Sequence, residues 1–254
     1  MLTDTEAIVL RQVRTVNGRR MLLLFSRKYG KISVGSNLAE SGKNKSALPQ
    51  RPFTYGNYEL FKSRETYNLN HAQVLKSYYG IGEDLDKYMA ASYVLELTEK
   101  LLADELPQPA LFRLLLEFLD ALEKRGRKQE TLVEAYIVKA IDLLGTMPRL
   151  EACSVCGKAG ANRYFSIEEG GMICADCARH LAEDPDKEPL IYDTNFDIVN
   201  ILKYFRKESF GAFEKIALED EIFKKLHAIL RSWLAYHFGV EKLKSEDFLR
   251  SPLT

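Results

Sequence analysis

Between residues 7 and 79 the apolar positions recur with a short period. AIVLRQVR (7–14), RRMLLLFSRK (19–28), GKISVGS (30–36), FTYGNYELFKS (53–63) and HAQVLKSYY (71–79) are brief apolar or alternating runs. Turn material such as Val16-Asn17-Gly18-Arg19 and Tyr29-Gly30 separates them. Five such strands, the middle ones joined by tight turns, predict a small closed barrel. The link between the third and fourth, SNLAESGKNKSALPQRP, is polar, basic and broken by Gly and Pro, and reads as a mobile surface loop.

From Gly82 the period lengthens. DLDKYMAASYVLELTEKLLADELP sets Leu85, Met89, Leu95 and Leu102 at roughly helical spacings, with Pro107 and Pro109 beyond. LFRLLLEFLDALEKR and ETLVEAYIVKAIDLLG predict two further helices, the second closed by Gly145. TNFDIVNILKYFRK opens with Thr194 and an acid three residues on, the pattern of a capping box, and DEIFKKLHAILRSWLAYHFG stops at Gly239. The expected fold is α+β: a five-stranded barrel over residues 1–80 and a helical domain over 81–254. A cysteine-bearing module, 150–180, is inserted in the second.

Composition narrows the setting. The chain has 254 residues, 46% of them hydrophobic, enough for real cores and more than one domain. No apolar run reaches the roughly eighteen residues of a membrane span. MLTDTEAIVLRQVR lacks the features of a secretory signal, so a cytoplasmic protein with reduced thiols is expected. The net charge of zero conceals an asymmetry. Residues 1–80 carry thirteen Lys and Arg against five Asp and Glu, so the remainder is equally acidic. A basic head on an acidic body is a pattern found in nucleic-acid-binding chains.

All four cysteines, Cys153, Cys156, Cys174 and Cys177, fall in two Cys-x-x-Cys pairs seventeen residues apart. Each pair sets two sulfurs on one tight turn, and the spacing is that of a tetrahedral four-thiolate zinc site. A redox motif would need only one pair beside a βαβ unit, and local disulfides suit an oxidising compartment. One structural Zn2+ is therefore expected. Four sulfurs leave no open position for a catalytic water, and His180 is not needed as a ligand.

Enzyme signatures fail. Six residues, not four, lie between Gly35 and Gly42-Lys43, and Asn44 stands where a phosphate loop needs Ser or Thr. No Gly-x-Ser-x-Gly elbow, His-Glu-x-x-His helix or deaminase His-x-Glu is present. No bond-making activity is expected.

The head instead interleaves cations with rings. Arg19, Arg20, Arg27, Lys28, Lys31, Lys43, Lys45, Arg51, Lys62 and Arg64 are the candidate DNA-binding residues, with Lys43, Lys45 and Arg51 in the long loop. Cations for phosphate and rings for stacking on a small barrel are the chemistry of single-strand binding. About half of the alternating rings in FTYGNYELF are expected in the barrel core.

AIVLRQVRTVNGRRMLLLFSRKYGKISVGSN, a basic loop and then QRPFTYGNYELFKS resemble the N-terminal domain of the bacterial recombination mediator RecO family. The helical middle, the cysteine module and the helical tail follow in that family's order. The resemblance implies an OB-fold, binding of single- and double-stranded DNA, and annealing of complementary strands. With the partner RecR it implies loading of a recombinase onto DNA coated by single-strand-binding protein, whose C-terminal tail the helical body receives, and a nucleoid-associated location. A protein–protein adaptor, with a basic barrel that does not touch DNA, is the alternative.

Overall fold

The computed structural model describes residues 1–15, 19–36, 45–63, 66–160, 163–183, 189–213 and 216–246, and only the backbone of 45–47. Strands β1 (Leu2–Arg14), β2 (Arg20–Ser26), β3 (Gly30–Ser36), β4 (Tyr55–Ser63) and β5 (Thr66–Lys76) close a barrel in the order β1-β2-β3-β5-β4. All neighbours are antiparallel except β3 and β5, which pair in parallel at Val34↔Tyr67 and Gly35↔Asn68. This is the strand order of an OB-fold.

Alternation fills the interior. Ala7, Val9, Leu22, Leu24, Ile32, Val34, Tyr58, Leu60, Tyr67 and Leu69 form one buried cluster. Register shifts in β1 between Val9 and Arg11, and in the β4–β5 pair between Glu59 and Leu60, bend the strands as closure requires. A 3-10 helix, Lys45–Gln50, occupies part of the long β3–β4 link. Its Pro49 carbonyl accepts from the buried Tyr58 hydroxyl at 2.7 Å, and its Leu48 carbonyl from Thr54 at 3.0 Å. The described end of the link is thus tied to the barrel.

A short helix α1 (Tyr79–Gly82) leads into α2 (Leu85–Leu101) and α3 (Pro109–Lys124). Asp84 caps α2 by accepting from Lys87 N–H at 3.1 Å, and Pro109 occupies the first turn of α3, where its missing N–H costs nothing. These helices belong with the barrel. Phe112 meets Phe25 edge-on at 5.3 Å, and Arg11 forks onto Glu99 at 2.8 and 3.0 Å. Gly30 makes the close approach possible: its φ is +71°, and a Cβ there would lie 2.2 Å from the Leu106 carbonyl oxygen. Lys244 and Ser245 return here as well. The Glu96 carboxylate accepts from Lys244 N–H, Ser245 N–H and the Ser245 hydroxyl, the backbone pair at 2.9 Å each.

Contacts accordingly divide the chain into Met1–Arg125 with the chain from Leu243 onward, and Gly126–Lys242. The helices α2 and α3 thus sit in the same compact unit as the barrel, which runs through Arg125.

The second unit is built on α4 (Gln129–Leu143), buried along nearly its whole circumference. Around it come α6 (Ile198–Lys207) and α7 (Asp220–Phe238). Ile198, Leu202 and Phe205 give α6 its buried stripe, and Leu226, Leu230, Trp233 and Leu234 give α7 its own. The N-cap of α6 is Asp197, accepting from Asn200 N–H at 3.2 Å. Thr194, expected to begin a capping box, bonds the Arg163 carbonyl instead, because β8 (Ile191–Asp193) pairs with β6 (Tyr164–Ser166) just before it. The sheet β7-β6-β8, with β7 spanning Gly171–Ile173, leads into the helix α5 (Ala175–Ala182), which carries Cys174 and Cys177, while Cys153 and Cys156 lie on a turn before β6.

Candidate nucleic-acid interface and metal centre

The metal centre is assembled from two unlike turns. In the first, the Cys153 carbonyl accepts from Gly157 N–H at 2.9 Å, closing the loop around Cys156. In the second, Cys174 is the N-cap of α5 and Cys177 lies in its first turn. All four sulfurs lie within 4.8 Å of one another, with Cys156 and Cys174 at 3.9 Å. Zn–S bonds of about 2.3 Å in a tetrahedron put the sulfurs about 3.8 Å apart, whereas a disulfide needs about 2.05 Å. The thiols are free, and the donor set fits a metal ion.

Burial works against ionisation of Cys153, but N–H groups of Cys156, Cys174 and Val155 outweigh it and bring the thiol down to about 6. Cys177 is pushed up to about 12 by its contact with Cys174, then by burial and the other two sulfurs. Without a cation, then, the cluster keeps a proton that a metal would displace. Cys153, Ile173 and Ala178 form the buried centre of this module, with Tyr164, Leu181 and Ile191 against it. His180 is exposed and within 4.0 Å of Glu183, away from any ligand role.

The candidate cations of the barrel separate by the chemistry of their partners. Arg27 pairs with Glu6 at 3.3 Å, and Lys31 with Asp104 at 3.1 Å and the Glu99 carbonyl at 3.1 Å. Carboxylates cancel those two charges locally. Other partners are neutral and orient a cation without cancelling it. Arg19 donates to Asn68, Lys62 to the Tyr67 hydroxyl at 2.8 Å, and Lys28 lies over the Tyr29 ring at 5.3 Å. Lys62 also covers the Tyr67 ring at 4.8 Å, and the Tyr29 and Tyr67 rings meet at 5.9 Å.

Their partners adjoin at the start of β5, where the core-facing Tyr67 and the outward Asn68 are consecutive. The Tyr67 contact raises the Lys62 ammonium's pKa, keeping it charged, while Thr3, bonded to the Tyr29 hydroxyl, lowers that of Tyr29.

Arg20 donates to Gln50 at 3.3 Å and stands opposite Arg14, a cation the sequence reading passed over. Asn68 and Gln50, which hold the arginines, are likewise unmarked in sequence. Arg51 lies on an exposed turn after the 3-10 helix. Lys45 falls in that helix, where only the backbone is described, and Lys43 and Arg64 lie outside the described residues. Outward on β1 and β4, Asp4 even stands opposite Glu59, which is unsuited to a polyanion.

No described helix is long and apolar enough to cross a membrane.

An OB-ordered barrel followed by helices that carry a four-thiol metal module defines an OB-fold protein with an accessory metal-binding element. Comparison with known families narrows this further. The N-terminal model of recombination protein O matches residues 1–78 and its C-terminal model residues 82–247. The chain belongs to the RecO family. Similar relatives include the DNA repair protein RecO of a Thermoanaerobacter species, 29% identical over 98% of both chains. Those of Caldanaerobacter subterraneus and Bacillus subtilis are 29% identical over 96% of both chains and 27% identical over 98% of this chain and 94% of theirs.

Proposed function

We propose that this protein is a DNA repair and recombination mediator. It binds single- and double-stranded DNA without sequence specificity through the barrel, anneals complementary strands, and with RecR assists recombinase loading. The tail of single-strand-binding protein is its second protein partner. Catalysis of bond making is not part of this role, and the cysteine module holds one structural zinc.

The observation that carries the reading is the holding of Arg19, Lys28 and Lys62 by neutral partners. Cations kept charged and held in place can follow a phosphate backbone, and screening two polyanions lets complementary bases search for register. Phosphate contacts carry no base information, which suits a protein acting wherever strands are broken. Fluorescence anisotropy with labelled single strands, paired with an energy-transfer annealing assay, tests it on the full chain. Salt-sensitive binding and accelerated annealing are expected. A chain that captures RecR yet binds no DNA at low salt would be an adaptor, and the reading would fall.

A further inference from the structure

Where the barrel's unit turns from β5 into α1 and α2, a cleft of about 290 Å³ opens. Arg51, Phe53, Tyr78, Tyr79, Glu83 and Tyr88 line it. Two of these rings sit on left-handed backbone, Phe53 at φ +70° and Tyr78 at +48°. Bulky residues rarely adopt that conformation, and where surroundings enforce it the place is often a binding site. Three rings are fixed. Tyr88 meets Phe53 edge-on at 5.5 Å and 88°, while Tyr78 is buried with Lys76 over its ring at 4.4 Å. Tyr79 is the free ring, 63% exposed. The exposed Arg51 guanidinium has no acceptor among the described residues, and the Glu83 carboxylate is exposed on the same cleft.

A ring face, an unengaged guanidinium and a carboxylate are complementary to one nucleotide. Resting on the DNA-binding role above, we propose that the cleft receives a single unpaired base of a DNA strand. Tyr79 stacks on the base, Arg51 holds its phosphate, and Glu83 accepts from the base's exocyclic amine. The carboxylate adds a base preference at this one cleft to the sequence-neutral phosphate contacts of the barrel. Cytosine offers an amine donor where thymine presents a carbonyl acceptor, so thymine leaves two acceptors facing each other. An acidic peptide would meet the same carboxylate with no side-chain donor to satisfy it.

The test titrates the full-length protein with oligo(dC) and oligo(dT) of equal length. Oligo(dC) should bind about tenfold more tightly, the scale of one specific base contact. Glu83→Gln should abolish the difference. Tyr79→Leu should weaken oligo(dC) about tenfold through lost stacking, and Tyr79→Phe should restore it. Both side chains are exposed, so neither change threatens folding. Equal wild-type affinity for the two strands, or a preference that survives Glu83→Gln, overturns the proposal while leaving DNA binding intact. Absence of binding to either strand removes the wider reading and the cleft with it. Displacement of oligo(dC) by a short acidic peptide, lost in Arg51→Gln, would make the cleft a peptide site and overturn the nucleobase assignment.

Discussion

Replacing Arg19, Lys28 and Lys62 together with Gln removes three cations held by Asn68, Tyr29 and Tyr67 while leaving their neutral partners in place. Each single-strand phosphate contact contributes about 0.7 to the slope of log K against log salt, so the triple variant should lose about 2 units. The matched control is Arg27→Gln with Lys31→Gln, whose cations already face Glu6 and Asp104. It changes the chain's charge by almost as much but should alter the slope by less than about 0.7, one phosphate's worth. Anisotropy titrations across a salt series measure both. The control carries its own signature, because the Lys31 side chain is only 16% exposed and bonds the Glu99 carbonyl. Losing that charged hydrogen bond should cost about 1.5–3 kcal/mol, seen in urea unfolding. Equal slope losses in the two variants would mean that net charge, not the neutral-partner geometry, governs DNA binding.

Three further outcomes follow from geometry described above. Cys174→Ser should reduce bound zinc from about one per chain toward none and unfold the module well before it affects DNA affinity, checked by metal analysis and proteolysis. Gly30→Ala should cost roughly 2 kcal/mol or more in urea unfolding, since it forces a left-handed residue and a Cβ against the Leu106 carbonyl. Glu96 loses some hydration in its half-buried place, but bonds from Ser245 and the Lys244 N–H more than compensate and hold its carboxyl below the usual range. Its contribution is therefore complete above the unfolded value of about 4.3 and fades as pH falls through the lower folded value. Glu96→Gln should be less stable than the wild type at pH 7, with the gap closing toward pH 3.

The barrel was legible because its strands alternate over seven to thirteen residues, long enough for period two to emerge. The four sulfurs were legible because their spacing alone specifies two turns. The rest of the module was not: β6, β7 and β8 are three residues each, too short for any periodicity, and α5 is an eight-residue polar helix. Thr194 shows how a tertiary partner overrides a local signal, since the Arg163 carbonyl that takes its hydroxyl is brought by strand pairing. The sorting of cations was unreadable for the same reason. Arg27 finds Glu6 across a barrel register, Lys31 finds Asp104 beyond two strands and three helices, and Arg19 finds Asn68 at the parallel seam. Sequence offers the charges, and topology decides which are spent internally.

The Glu96 clamp on Lys244 and Ser245 bears on how the chain is made. Residues 126–242 are continuous, so their unit can complete its core as soon as they leave the ribosome. The barrel's unit begins first but receives the piece that holds the fully buried Leu243 only after residues 126–242 have been made. Between those events the α2 carboxylate waits without its backbone donors through more than a hundred residues of synthesis. A ribosome stalled short of residue 243 would thus present a barrel with strands paired and its helical seam still open, a state that truncated nascent chains can capture.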